Sequence, residues 1–307
     1  MILSIGEILV DIFIDGDKKT VFPGGAPFNL ASNIATFDNK EVMFMGCVGN
    51  DEYGHFLEEI ATKKINYPYI LSLDNRHTSE AIVTLIDGER IFKFNRSSGA
   101  DYVLDINELK KIDLSNLKII HIGSLMLSHK EGREFFFEAV NYIRDNSKAL
   151  ISFDVNYRDD IFKDEKEAKE IFISSLKCAD IIKFSEDELK LLSGKENLLD
   201  GLKTLLNEKQ IAVVTLGKEG SLYYDSSKNF KAETISLKPV DTTGAGDAFY
   251  SYFLYRIDKG LDLSNIEEIK SALLHANVVG GLATQRKGAI DVVPNHDEIE
   301  EFLKNHK

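Results

Sequence analysis

The stretch Asp241-Thr-Thr-Gly244-Ala245-Gly246-Asp247-Ala-Phe249 concentrates the most telling chemistry in the chain. Two threonines and three small residues precede an aspartate, and helix-compatible residues continue through Ile257. With Thr242 or Thr243 as N-cap, Gly244, Ala245 and Gly246 would open the first turn of a helix. The unpaired N–H groups of such a turn carry the positive end of the helix dipole, and glycine lets an anion approach them closely. Asp247 follows at once. A carboxylate beside an anion-binding turn suits a site where one handles a proton and the other handles negative charge. An ordinary helix start, with Asp247 complementing the dipole, accounts for the same residues by itself.

Three further stretches share this character. Phe22-Pro-Gly24-Gly25-Ala-Pro27-Phe-Asn29 pairs two glycines with a proline suited to a helical first turn, and Asn29 falls in that turn. Asp154-Val-Asn156-Tyr-Arg158 and Thr215-Leu-Gly217-Lys-Glu-Gly220 each follow an apolar run. Together these types suit phosphoryl transfer to an alcohol, which needs positioning, charge stabilisation on equatorial oxygens and a carboxylate to receive the hydroxyl proton. Other devices are missing from the sequence. Ser193-Gly-Lys195 lacks the upstream glycine of a P-loop, and there is no His-Arg-Asp motif, HExxH or Gly-x-Ser-x-Gly. Gly123-Ser-Leu and Gly280-Gly281 read as close packing.

These stretches must be positioned by the elements between them. The 307 residues, 43% hydrophobic and 28% charged, suffice for one large α/β domain or two smaller ones. A net charge of −13 argues against nucleic acid or an anionic membrane as partner. Cys47 and Cys178 have no CxxC spacing and read as buried free thiols; with no signal peptide or spanning segment visible, a soluble cytoplasmic protein is expected. Apolar runs predict strands at 1–5, 41–48, 118–122, 149–154, 180–184 and 211–216, and a hairpin over 222–235. Helices are expected at 52–64, 130–145, 165–176, 187–192, 198–207, from Gly244, at 266–283 and from Asp297. This alternation predicts a mostly parallel sheet with helices on both faces, and ligands at the carboxyl ends of strands. Asp11, Asn156, Arg158, Lys183, Gly217 and Asp247 are all expected to follow strand ends. Residues 81–86 and 90–94 flank Asp87-Gly88-Glu89, a hairpin signal outside the βα rhythm. With the segment around 12–21 they predict a small β-layer able to cover a cleft.

The motifs resemble those of the ribokinase family of small-molecule kinases, most closely its fructokinase branch. Gly24-Gly25-Ala-Pro-Phe-Asn29-Leu-Ala resembles the first family signature, and Val240-Asp-Thr-Thr-Gly-Ala-Gly-Asp247-Ala-Phe249 the second. The similarity runs from about residue 2 to about residue 294. It implies a three-layer αβα sandwich forming a single kinase domain over 1–307, with a β-lid from segments about 9–22 and 78–100. It further implies Asp247 as catalytic base, Gly244, Ala245 and Gly246 as the anion hole, and Arg158 beside the transferred phosphate. Asp11, Gly24, Gly25, Asn29, Arg96 and Asn156 would bind the sugar. Lys183, Glu188, Thr215, Gly217, Gly220 and Asn277 would serve ATP and its magnesium. Asp241, Thr243, Ala283, Arg286 and Gly288 match a potassium site formed partly by carbonyls. Small-molecule sugar and ATP are the expected partners, with a homodimer formed through the lid.

The implied reaction is transfer to a primary hydroxyl, most closely D-fructose to its 6-phosphate. Gly6-Glu7-x-Leu9-x-Asp11, Asp154-x-Asn156-x-Arg158 and Lys93-Phe-Asn-Arg96-Ser-Ser-Gly-Ala100-Asp101 resemble the fructokinase forms. The first two are shared with 2-keto-3-deoxygluconate kinases, and Ala100-Asp101 favours fructose. A ribokinase or nucleoside kinase of the same fold is a further alternative, and a non-catalytic sugar- or nucleotide-binding regulator is one of another class. The sequence departs from the family at Thr36-Phe37-Asp38-Asn39, at Tyr250-Ser-Tyr252, and at Ser185, which stands where many relatives carry asparagine.

Overall fold

The computed structural model describes residues 1–16, 18–86, 89–235, 237–286 and 288–306, with the backbone alone given for 15, 84–86 and 89–92. Seven parallel strands build the centre of the main sheet: β1 (Ile2–Ile5), β4 (Val42–Gly49), β5 (Tyr67–Leu73), β8 (Ile119–Ile122), β9 (Leu150–Asp154), β10 (Ile181–Ser185) and β11 (Ile211–Thr215). The antiparallel hairpin β12 (Ser221–Tyr224) and β13 (Asn229–Ala232) extends one edge, giving the order β13-β12-β11-β10-β9-β8-β1-β4-β5. Four further strands, β2 (Leu9–Asp15), β3 (Lys18–Gly24), β6 (Glu80–Ile86) and β7 (Glu89–Asn95), form a separate sheet ordered β3-β2-β6-β7.

Period-2 alternation divides the core between two helical layers, because successive strand side chains point to opposite faces. Ile119, Ile181 and Val213 join one core, packed by α1 (Ala26–Phe37), α2 (Glu52–Lys64), α8 (Ala245–Asp258), α9 (Ile266–Ala283) and α10 (His296–Asn305). Their neighbours Ile120, Ile182 and Val214 join the other. That layer holds α3 (Ile106–Leu109), α4 (Lys130–Asn146), α5 (Glu165–Leu176), α6 (Glu186–Ser193) and α7 (Leu198–Leu205). The result is the expected three-layer αβα sandwich with a smaller sheet. Strand order reverses at β1, whose neighbours are β4 and β8, so a crevice opens where β1 and β8 end.

The expected strands and helices match to within a residue or two, with α2, α5 and α9 on the expected bounds. One strand, β5, was not foreseen, since Pro68 lies inside its run; it is the sheet edge, where proline is tolerated. Residues 87 and 88 of the expected hairpin turn lie outside the described residues, while the flanking β6 and β7 pair antiparallel. Cys47 is buried as expected, whereas Cys178 is only partly so. Among the described residues no helix is long and apolar enough to cross a membrane.

The family departures are absorbed by packing. Phe37 at the end of α1 meets Tyr252 of α8 edge to face at 5.2 Å, so the two large substitutions fill one space. Ser185 is the N-cap of α6 and forms a capping box with Glu188, a role serine fulfils as well as asparagine. Gly280 lets α9 approach α8, because a Cβ there would stand 3.0 Å from the Ala245 carbonyl.

Candidate active site

Helix α8 begins at Gly244, and this corrects the expectation of a threonine cap. Gly244 is itself the N-cap, in the left-handed region at φ 74°, and no side chain caps the turn. A Cβ at Gly244 would stand 2.7 Å from that of Ala289, so this position requires glycine on both steric and conformational grounds. Thr243 turns away instead, donating its hydroxyl and backbone N–H to Asp241 Oδ1 at 2.7 and 3.1 Å. Asp241 Oδ2 accepts the Gly288 N–H at 3.2 Å, and the Asp241 N–H donates to the Thr284 carbonyl. The loop after α9 is thereby fastened against the start of α8.

Asp247 stands in that first turn, partly buried, with Asn29 Nδ2 donating to its Oδ2 at 2.8 Å. Burial pushes its carboxyl up to about 6, opposed by the Asn29 hydrogen bond, with Asp154 adding to the rise and Lys183 and Arg158 countering it. Asn29 is buried in the first turn of α1, and its Oδ1 has no hydrogen-bond partner among the described residues. An orphaned buried acceptor of this kind suits a hydroxyl donor.

Beneath the turn lies a charge pair. Lys183 Nζ donates to both oxygens of Asp154, at 2.8 and 2.9 Å, and both residues are buried. A Cβ at Gly246 would stand 3.4 Å from this ammonium, so the cation sits directly under the first turn of α8. Burial works against the Lys183 charge, yet Asp154 and Glu188 outweigh it and hold the ammonium above its usual range. Glu188 ties the neighbouring loops together: Oε2 accepts the Ser185 N–H at 2.7 Å and Oε1 the Tyr157 N–H at 3.0 Å. Burial raises its carboxyl, with Lys183 opposing.

Strand-end placement holds for Asn156, Arg158 and Gly217 and fails for the other three. Lys183 lies in the middle of β10, and Asp11 lies within β2 of the small sheet. Both reach the site because their side chains point inward from a strand. Asp247 follows no strand directly; a loop separates α8 from β13. Asp11 fits against Gly24, whose missing Cβ leaves room for the carboxylate, and burial together with Asp247 pushes it up to about 7 while Arg158 opposes. Gly25 is the N-cap of α1 at φ 103°, where a Cβ would collide with the Glu7 carbonyl. Arg158 is exposed, and Asn156 has a positive φ of 39°.

A cleft of about 340 Å³ opens on the other side of the turn. Thr215, Gly217, Gly220 and Asn277 line it together with Ala245 and Gly246. Four of the six residues expected to serve ATP and its magnesium therefore share one cleft with the first turn of α8, and Lys183 and Glu188 do not line it. Asn277 also fastens the end of β13, donating to the Glu233 and Ala232 carbonyls at 2.8 and 3.3 Å. Of the candidate potassium ligands, Asp241, Thr243 and Gly288 are brought together by hydrogen bonds, and the Ala283 carbonyl accepts the Arg286 N–H at 3.3 Å. The Arg286 side chain points outward, 3.6 Å from Glu298, so this residue offers a carbonyl alone.

Arg96 is buried and faces the protein. Its guanidinium bonds Asp101 Oδ2 at 2.6 and 3.0 Å, Ser128 Oγ at 2.8 Å and the Leu125 carbonyl at 3.2 Å. Asp101 is held in turn by Ser79. The arginine thus fastens the base of the small sheet to the body of the protein.

Sequence comparison decides the family, since the pattern of the pfkB family carbohydrate kinases matches residues 1–297. The chain belongs to the pfkB family of carbohydrate kinases. This ATP-dependent carbohydrate kinase is 35% identical to a probable fructokinase-5 of Arabidopsis thaliana over 318 residues, covering 99% of this chain and 98% of the relative. A fructokinase of Vibrio cholerae O395, solved with fructose, ADP and calcium ion bound, matches at TM-score 0.88 and 32% identity over 98% of each chain. A fructokinase of Xylella fastidiosa with bound ATP matches at TM-score 0.89 and 27% identity, covering 99% of this chain and 98% of the other.

Two residues of the kinase escaped the sequence reading as site candidates. Asp154 was noted only as part of Asp154-Val-Asn156, although its position at the carboxyl end of β9 signalled it. Glu7 follows β1 in the crevice where strand order reverses. It is buried, its Oε2 has no partner among the described residues, and a Cβ at Gly123 would stand 2.8 Å from that oxygen. Burial pushes Glu7 up to about 8.

Proposed function

We propose that this kinase transfers the γ-phosphoryl group of ATP to the 6-hydroxyl of D-fructose, with Asp247 as base. The observation that carries this reading is the meeting of three features at one helical turn: the Asn29-held carboxylate, the Lys183 ammonium under Gly246 and the nucleotide-sized cleft beyond it. In support, the Vibrio cholerae relative was solved with fructose and ADP. Asp11, Gly24, Gly25, Asn29 and Asn156 bind the sugar, and Asn29 Oδ1 accepts one of its hydroxyls. Arg96 acts on the sugar side by fixing the lid. Thr215, Gly217, Gly220 and Asn277 hold the nucleotide.

The chemistry follows from the positions. Asn29 engages Asp247 Oδ2, which leaves Oδ1 for the reacting hydroxyl. A carboxyl near 6 is mostly ionised at neutral pH while accepting a proton more readily than an ordinary aspartate. It need not deprotonate the alcohol in advance, because in a loose transition state the proton moves late. Charge on the transferred group is met by the N–H groups of Gly244 and Gly246, by that of Ala245, which in the free protein donates to the Thr242 carbonyl at 3.3 Å, by Lys183 beneath them and by Arg158. Glu188 would help to hold magnesium, a hard cation that is usually held by one or two carboxylates plus substrate phosphates, and the ion would supply neutralisation of phosphate charge. Potassium fits the loop of Asp241, Thr243, Ala283, Arg286 and Gly288, whose donors are oxygens and mostly carbonyls.

The chain works as a single domain over 1–307 in the cytoplasm, with 9–22 and 78–100 as a lid whose free sheet edges pair in a homodimer. Release of ADP is to be measured with fructose, 2-keto-3-deoxygluconate, ribose and a nucleoside as acceptors. Fructose should give the highest kcat/KM. Preference for another acceptor overturns the substrate assignment, and no turnover on any of them overturns the reaction.

A further inference from the structure

A buried polar cluster joins α8 to the sheet beneath the anion hole. Tyr250 lies one helical turn after Asp247 and is fully buried. Its hydroxyl stands 2.7 Å from Ser152 Oγ and donates to the Ile181 carbonyl at 3.2 Å. Ser152 Oγ lies 3.1 Å from His121 Nδ1, and the His121 and Tyr250 rings meet edge to face at 5.8 Å. One arrangement of protons satisfies every member: His121 donates to Ser152, Ser152 to Tyr250, and Tyr250 to the Ile181 carbonyl.

Sheet register gives this cluster its meaning. His121 pairs with Ser152 across β8 and β9, and Ser152 pairs with Ile181 across β9 and β10. Two residues further along, the same strands pair Asp154 with Lys183. Side chains two apart on a strand share a face, so the tyrosine hydroxyl is fastened to the rung next to the Asp154–Lys183 pair. The first turn of α8 has no side-chain cap, and Lys183 approaches it at Gly246. The height and rotation of that turn above the ammonium therefore depend on how the following turn is held.

We propose that Tyr250 is a positioning residue for phosphoryl transfer: through Ser152 and the Ile181 carbonyl it sets the register between the Gly244–Asp247 turn and the Asp154–Lys183 pair. A phenylalanine would bury the same ring, so packing alone does not call for the hydroxyl. A hydroxyl buried with satisfied partners selects one arrangement, since displacing it leaves polar groups unpaired. Misplacement of reacting groups by about 1 Å can cost on the order of 100-fold in rate, which makes a small sliding of α8 visible in turnover. The inference rests on the Gly244–Asp247 turn being the reacting end of the site.

The test is steady-state kinetics on Tyr250→Phe, Ser152→Ala and the double variant, with thermal unfolding of each. Tyr250→Phe should lower kcat roughly tenfold with both KM values within about twofold. Ser152→Ala should do the same, and the double variant should be little worse than either, because both cut one chain of hydrogen bonds. Tyr223→Phe supplies the control: it removes another buried hydroxyl, bonded to Asp225 at 3.0 Å, and should change stability without changing kcat. Wild-type kcat in folded Tyr250→Phe, or additive losses in the double variant, would overturn the inference. Asp247→Asn separates the two readings. Full turnover in that variant defeats the assignment of the turn, whereas its loss alongside an unaffected Tyr250→Phe defeats the positioning role alone.

Discussion

Replacing Glu7 by glutamine should change how stability depends on pH. Glu7 is buried, its Oε2 is unpartnered among the described residues, and its carboxyl is pushed from 4.5 up to about 8, first by burial and then by Asp101 and Asp247, with Arg96 opposing. A folded-state value above the unfolded one means that the native protein holds a proton which the unfolded chain gives up. The resulting stability is complete below about pH 4.5 and is lost as pH rises to about 8. The slope from one such group approaches 1.4 kcal/mol per pH unit. From pH 5 to pH 8 its ceiling is thus roughly 4 kcal/mol, and structural relaxation on ionisation should leave about 2 kcal/mol. Glutamine preserves the shape and cannot ionise. Urea unfolding of both proteins at pH 5, 6.5 and 8 should show the variant gaining on the wild type by about 2 kcal/mol across the series. Asp11 titrates in both proteins and drops out of the difference, while Asp247, which interacts with Glu7, contributes a smaller part of it. Parallel pH profiles would refute the reasoning.

Other consequences can be checked separately. Gly244→Ala forces a side chain into the left-handed region against Ala289, and should cost at least about 1–2 kcal/mol of stability together with about 100-fold in kcat; an active, stable variant would dissociate the turn from the chemistry. Arg96→Ala leaves Asp101 buried without its cation and should destabilise by about 3–5 kcal/mol in a urea titration, far beyond the effect of an exposed lid charge. The acid limb of kcat/KM should fall near pH 6, with activity rising with pH as Asp247 ionises, and a profile flat from pH 5 to 8 contradicts its role. Replacing potassium by tetramethylammonium should lower kcat several-fold if the loop at Asp241 and Gly288 holds a cation; equal rates in both salts would remove that site.

Much of this architecture was readable from the chain because most parallel strands are short apolar runs and several helices, α2, α5, α6, α7, α9 and α10 among them, carry a side-chain cap as a start signal. The αβα layering follows directly from that rhythm. The exceptions are local. Strand β5 was hidden by Pro68 and by the half-exposed pattern of an edge strand. The cap of α8 was assigned to threonine because side-chain capping is the commoner device, whereas the contact between Gly244 and Ala289, distant in sequence, decides it. Candidate site residues could be picked out by type, but their partnerships could not. Asn29 and Asp247 are 218 residues apart and share a hydrogen bond, and Asp154 and Lys183 are joined only through the register of β9 with β10. Tyr250 read only as a departure from the family because its Ser152 partner could not be seen without the sheet.

The most direct test compares wild type with Asp247→Asn in fructose and ATP, following ADP release while measuring fructose binding calorimetrically. The account predicts wild-type turnover to fructose 6-phosphate, a loss of several orders of magnitude in the variant, and fructose affinity within a few-fold of wild type. Turnover by Asp247→Asn at a rate near that of the wild type would contradict it.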